Sequence, residues 1–186
     1  MYYSIPEKGM KLPDYARELS KQIDTTRNFI LVGVSLGGMI ATEINEFLSP
    51  KKTIIISSAK NRKELPFRYR FQRIIPLYKI FPKRVLKGGA FIMQPLVEPD
   101  RNKDKDTFVG MLKDKDPDFL KRTIGMIMQW DRTVHNNNIF HIHGDKDKTI
   151  PIRNVNYNHL IQKGSHMMVL TRGEEISTII NSILHD

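Results

Sequence analysis

Three short groups of residues could do chemistry together. Ser35 stands in Gly33-Val34-Ser35-Leu36-Gly37-Gly38. Two carboxylates stand in His143-Gly144-Asp145-Lys146-Asp147, and an imidazole stands in Gly164-Ser165-His166. A serine hydroxyl is a weak nucleophile until a base takes its proton and a third group holds that base in the right tautomer. Nucleophile, acid, histidine is the chain order found where a serine sits on a strand-turn-helix Gly-x-Ser-x-Gly. The chemistry this allows is acyl transfer. Ser35 attacks, His166 takes the proton and returns it to the leaving group, and Asp145 or Asp147 orients the imidazole.

Such a mechanism needs elements that deliver the three groups to one place. Asn28 to Gly33 is apolar and β-branched and predicts a buried strand. Met39, Ile40, Ile44, Phe47 and Leu48 recur at helical spacing until Pro50. The turn between them would lift Ser35 above the sheet edge. Gly33 and Gly37 omit side chains that would collide there, and the new helix aims backbone N–H groups at the attacked oxygen. Upstream, Tyr2 to Ile5 predicts a short strand and Leu12 to Ile23 a helix with Tyr15, Ala16, Leu19 and Ile23 on its apolar face. Downstream, strands are expected at Thr53–Ser58, Asn138–His143 and Tyr157–Ile161, with a closing helix from Gly173 to Leu184. Alternating strands and helices argue for a parallel sheet.

Residues 60–135 break that rhythm. Phe67 to Phe81 mixes aromatics with cations around Pro76. Lys83 to Pro99 is interrupted by Gly88-Gly89, and Thr107 to Leu112 predicts a short helix. Asp118 to Asp131 predicts a longer one with Phe119, Leu120, Ile124, Ile127 and Met128 inward. An all-helical insert of this size is expected to be a cap or lid.

The chain has 186 residues, 40% of them hydrophobic, no cysteine and a net charge of +10. That describes one soluble domain with a real core. It excludes a disulfide scaffold and a thiolate metal site. The first residues lack the basic and apolar regions of a signal peptide, no apolar run reaches the length of a membrane span, and a cytoplasmic setting is expected. Positive charge concentrates in residues 60–87, with ten Lys or Arg against one acid, Glu64. An anionic surface could be met there. No zinc spacing or RNP signature accompanies the charge, so nucleic acid is not expected as a partner. His141 and His143 share one face of a strand, but no third ligand is positioned by the sequence, so they read as packing.

The three groups together resemble the α/β-hydrolase family. The matching pieces are Gly33-Val34-Ser35-Leu36-Gly37-Gly38, then His143-Gly144 with Asp147 and Pro151 at the family's spacing, then Gly164-Ser165-His166. The resemblance implies an α/β fold with a mostly parallel sheet flanked by helices. Residues 1–59 and 136–186 would form the core and residues 60–135 a helical cap. It favours Asp147 over Asp145 as the acid. The triad would be Ser35, Asp147 and His166, the first oxyanion donor the N–H of Leu36, and the substrate a small acyl compound such as a carboxylic ester. No cofactor or metal is implied. The family sheet has further strands ahead of Tyr2–Ile5, and a loop among them supplies the second oxyanion donor. None is present in the sequence, so the chain reads as truncated. A catalytically weak or inactive binding protein of the same fold is the alternative expectation.

Overall fold

The computed structural model describes residues 1–76, 79, 80, 110 and 116–185. The short helix expected at Thr107–Leu112 and the segment Lys83–Pro99 lie outside or almost wholly outside the described residues. Four parallel strands form one sheet in the order β1 (Ile30–Val34), β2 (Lys52–Ile56), β3 (Ile139–Gly144), β4 (His159–Ile161). Val32 pairs with Ile54 and Ile54 with Phe140, and Ile142 pairs with His159. Sequential neighbours in a parallel sheet need a crossover between them. The helix α2 (Leu36–Ile44) supplies the first, packed beside α1 (Leu12–Ser20). Between β2 and β3 the described residues form helices α3 (Phe67–Phe71) and α4 (Pro117–Gln129). After β4 come α5 (Met168–Thr171) and α6 (Gly173–His185).

The period-2 alternation of strands sorts the core into two layers. Leu31, Ile55 and Ile139 pack on one face against Tyr15, Leu19, Met39 and Ile44 of α1 and α2, together with Leu65, Met126 and Trp130. Ile54, Ile56, Ile142 and Ile161 pack on the other face against Met168, Ile176 and Ile183 of α5 and α6. Trp130 is buried without an orphaned N–H, because its Nε1–H donates to Glu43 Oε1 at 2.6 Å. The carboxylate also holds Arg132 Nε and Nη2, each at 2.7 Å.

Two expectations fail. Tyr2–Ile5 is not a strand. Three of its main-chain groups bond to side chains instead. Gln22 bonds both the N–H and the carbonyl of Tyr2, and Tyr15 Oη donates to Ser4 O at 2.6 Å. An apolar, aromatic composition carries β-propensity only where a neighbouring strand is available to pair with. The strand around Asn28–Gly33 is also not buried on both faces. Ile30 and Val32 are exposed while Leu31 is buried. On the face packed by α5 and α6 the core reaches Val34 of β1 but leaves Ile30 and Val32 exposed. Among the described residues no helix is long and apolar enough to cross a membrane.

Candidate active site

β1 passes into α2 through a single residue, Ser35, at φ 51° and ψ −118°. A non-glycine residue held there costs about 1–3 kcal/mol and persists only where its surroundings over-determine it. Ser35 N–H donates to Ile56 O at 2.9 Å, and Ser58 Oγ donates to Ser35 O at 2.7 Å. Gly33 is needed as expected, since a Cβ there would run into the Gly37 carbonyl. Gly37 is different. A Cβ on it would meet only the Tyr3 hydroxyl, at 3.0 Å, whereas one on Gly38 would strike the Ser58 side chain. The tight approach thus falls at Gly33 and Gly38. Leu36 is the first helical residue, so its N–H lacks an intrahelical acceptor. Burial raises the Tyr3 pKa, which keeps that phenol neutral beside the turn.

The structure brings Ser35, His166 and Asp147 together from the C-terminal ends of β1, β4 and β3. Ser35 Oγ lies 2.9 Å from His166 Nε2, and His166 Nδ1 lies 2.8 Å from Asp147 Oδ2. The carboxylate's other oxygen, Oδ1, accepts the N–H groups of Thr149 and Ile150, each at 2.8 Å. A carboxylate only accepts, so His166 carries its proton on Nδ1 and turns a lone pair on Nε2 towards the serine hydroxyl. Asp147 is the acid that faces His166. Asp145 is held elsewhere, its N–H donating to Ile161 O at 3.3 Å.

The acid and histidine loops touch through glycine. A Cβ on Gly144, the last residue of β3, would collide with the Gly164 carbonyl. That carbonyl accepts from Lys146 N–H at 2.9 Å. Gly144 and Gly164 therefore set the distance at which Asp147 and His166 meet.

Two buried histidines and a buried ion pair lie behind the triad. His143 Nδ1 is 3.1 Å from His141 Nε2, with the rings edge to face. His143 Nε2 is 2.9 Å from Ile150 O and 3.6 Å from Asp147 Oδ2. His141 Nδ1 is 3.2 Å from Lys60 Nζ, which pairs with Glu64 Oε1 at 2.9 Å. Burial pushes the pKa of His141 well below 6.5, with Lys60 and His143 adding to the shift. Burial also lowers that of His143, against the opposing pull of Asp147. Strand alternation puts both histidines on one face, but nothing in the sequence joins Lys60 to them; the one signal is its i,i+4 spacing to Glu64 after β2. Lys60 is buried, and so does not belong to an exposed basic patch. Arg62 and Arg68 spend their guanidinium N–H groups on the carbonyls of Trp130 and Thr149 respectively. Lys83, Arg84 and Lys87 lie outside the described residues. Among the described residues no group of three or more His, Cys, Asp or Glu could hold a metal ion.

No family model and no curated protein matches the sequence. Solved structures do match in shape. A hydrolase from Pseudomonas aeruginosa superposes with a TM-score of 0.71 at 13% identity, over 98% of this chain and 75% of that one. A thermophilic esterase from Thermogutta terrifontis superposes at 0.67 and 12% identity, over 95% and 72%. The meta-cleavage product hydrolase of Pseudomonas fluorescens superposes at 0.65 and 12% identity, over 98% and 75%. The fold of this chain is the α/β-hydrolase fold.

Proposed function

We propose that this protein is a serine hydrolase that cleaves a carboxylic ester or related acyl bond through an acyl-enzyme on Ser35. The observation that carries this reading is the unbroken hydrogen-bonded run Ser35 Oγ, His166 Nε2, His166 Nδ1, Asp147 Oδ2, at 2.9 and 2.8 Å. As Ser35 Oγ attacks the acyl carbon, its proton passes to His166 Nε2. Asp147 steadies the resulting imidazolium through Nδ1–H. The carbonyl oxygen becomes an oxyanion, and the N–H of Leu36 is one donor for it. Collapse expels the alcohol, which takes the proton from Nε2. Water then gives up a proton to the same nitrogen and attacks the acyl carbon; as the bond to Ser35 breaks, Nε2 returns that proton to Oγ and the acid is released.

The esterase and hydrolase neighbours support a hydrolytic role for the fold. We assign residues 60–135 as the cap that shapes the acyl pocket, and a small acyl compound as the substrate. A reducing, cytoplasmic setting suits a chain without cysteine.

The test is labelling by a fluorophosphonate probe together with hydrolysis of short p-nitrophenyl esters. Labelling at Ser35, lost in Ser35→Ala, is expected. A folded protein that neither labels nor hydrolyses would overturn the reading in favour of a non-catalytic binding protein.

A further inference from the structure

We infer that Lys60 fixes the proton positions of His141 and His143, and that the two imidazoles form a positioning relay aimed at Asp147. An ammonium group has donors and no acceptor. Lys60 Nζ lies 3.2 Å from His141 Nδ1, so that nitrogen presents a lone pair. Asn156 O stands 3.1 Å from Nδ1, and the Lys60 ammonium, with three donors, lies within reach of both and so bridges two acceptors. A neutral His141 then carries its proton on Nε2. That N–H faces His143 Nδ1 at 3.1 Å, which must accept. The His143 proton therefore sits on Nε2, 2.9 Å from Ile150 O and 3.6 Å from Asp147 Oδ2. The run begins at one cation and ends where the His143 N–H meets the Ile150 carbonyl of the acid loop.

The surroundings keep the relay neutral. His141 and His143 are fully buried and Lys60 nearly so. His141 is faced by Lys60 and His143. His143 is faced by His141, Asp147, His166 and Glu64. Glu64 balances the Lys60 charge, accepting its ammonium at 2.9 Å and its backbone N–H at 2.7 Å. Burial disfavours a second positive charge on either ring.

The catalytic consequence rests on the hydrolase reading. Asp147 Oδ1 accepts Ile150 N–H, and Ile150 O accepts from His143. Oδ2 takes the Nδ1–H of His166, and the His143 ring edge lies 3.6 Å behind it, close enough to act on its charge without bonding it. His143 is thus a positioning residue, which acts on His166 only through Asp147. Neither relay imidazole takes up a proton near neutral pH. The Asp147 charge is left to the imidazolium of His166.

The first experiment needs no activity and no variant. In protein labelled with ¹⁵N-histidine, long-range ¹H–¹⁵N spectra at neutral pH are expected to show His141 and His143 as neutral Nε2–H tautomers. An Nδ1–H tautomer or a cation at either ring would overturn the relay. In Lys60→Met/Glu64→Gln, which removes both partners of the buried pair, His141 is expected to switch to Nδ1–H, donating to Asn156 O. Unchanged tautomers there would show that Lys60 does not dictate them. The second experiment reads catalysis. His143→Leu is expected to lower kcat about 10–100-fold, the usual range for groups that orient a catalytic ligand, with KM nearly unchanged. His143→Gln, which keeps an N–H near the Nε2 position, is expected to restore most of that loss. Equal losses in both variants, with an unchanged pH profile, would reduce His143 to packing and overturn the positioning role. Absent hydrolysis in the parent protein would sink the hydrolase reading and leave the tautomer result standing.

Discussion

β1 and β3 lie in one parallel sheet, separated by β2, and their surroundings are opposite. β1 is Ile-Leu-Val-Gly-Val, apolar throughout, yet Val32 is 53% exposed. β3 contains two histidines, yet both are 0% exposed. Composition alone would have placed them the other way round. The difference lies in what each strand is packed against. β3 sits between two strands, with Ile139 in the core on one face and Ile142 in the core on the other. Its polar groups are admitted because each finds a partner, in a run from Lys60 to Asp147. β1 delivers Ser35 at its C-terminal end, but Ile30 and Val32 on one face are exposed. The β3 side positions Asp147 and His166; β1 contributes the turn at Ser35, packed closely at Gly33, Gly38 and Ser58.

The largest expected effect tests the β3 side at its most connected point. Asp147→Asn keeps the size of the side chain but offers His166 an amide, which can reverse the favoured tautomer. By analogy with acid-to-amide changes in serine triads, kcat should fall about 10⁴-fold. The measurement is single-turnover acylation with a p-nitrophenyl ester, alongside thermal unfolding to verify that the fold persists. A fall of less than tenfold would mean that the acid is not what aligns His166.

Gly144→Ala comes next. The added methyl must displace the Gly164 carbonyl, a backbone atom that cannot swing aside. Overpacking of this kind typically costs about 1–3 kcal/mol. Activity should drop more than stability implies, because the loops carrying Asp147 and His166 are pushed apart. Chemical denaturation and kcat/KM measured on the same preparation would separate the two. Gly37→Ala is the control. Its methyl meets only the Tyr3 hydroxyl, so a much smaller stability loss is expected.

The pH dependence of stability probes the buried histidines. Both have folded-state pKa values below the ordinary 6.5. Above about pH 6.5 they are neutral folded or unfolded, and their full contribution is present. As pH falls below that value the unfolded chain takes up protons that the folded chain refuses, so stability declines. Each group contributes a slope of up to about 1.4 kcal/mol per pH unit until its folded pKa is reached. Urea unfolding between pH 7.5 and pH 5 reads this directly. In His141→Leu the slope should be shallower. An unchanged slope would mean that His141 is not held neutral by the fold.

The meeting of Ser35, His166 and Asp147 was legible because three short motifs place them: the turn at Ser35, the acid spacing after His143-Gly144 and the Gly164-Ser165-His166 loop. Each is local, and local chemistry survives without knowledge of the packing. The Lys60 relay was not legible, because it joins residues 81 positions apart across the end of β2 and β3. Lys60 reads as solvated charge until Glu64, Asn156 and His141 are seen around it. Tyr2–Ile5 misled for a related reason. Strand propensity records the fit to a pleated surface, and no partner strand flanks this segment among the described residues. The exposed face of β1 was equally hidden, since periodicity distinguishes faces only when polar residues alternate with apolar ones.

The smallest expected effect is the most direct test of the contrast between the strands. Val32 and Ile54 are register partners, β-branched, and on the same face of the sheet. Val32 is 53% exposed and Ile54 is 0% exposed. Truncating Ile54 to alanine leaves a cavity between the sheet and α5/α6, and should cost about 2–5 kcal/mol. Truncating Val32 removes atoms already in water, and should cost less than about 0.5 kcal/mol. Denaturant midpoints for the two variants settle the comparison. If Val32→Ala is as costly as Ile54→Ala, the open face of β1 is covered in solution. The strand that leads into Ser35 would then be as firmly clamped as the one that leads to Asp147.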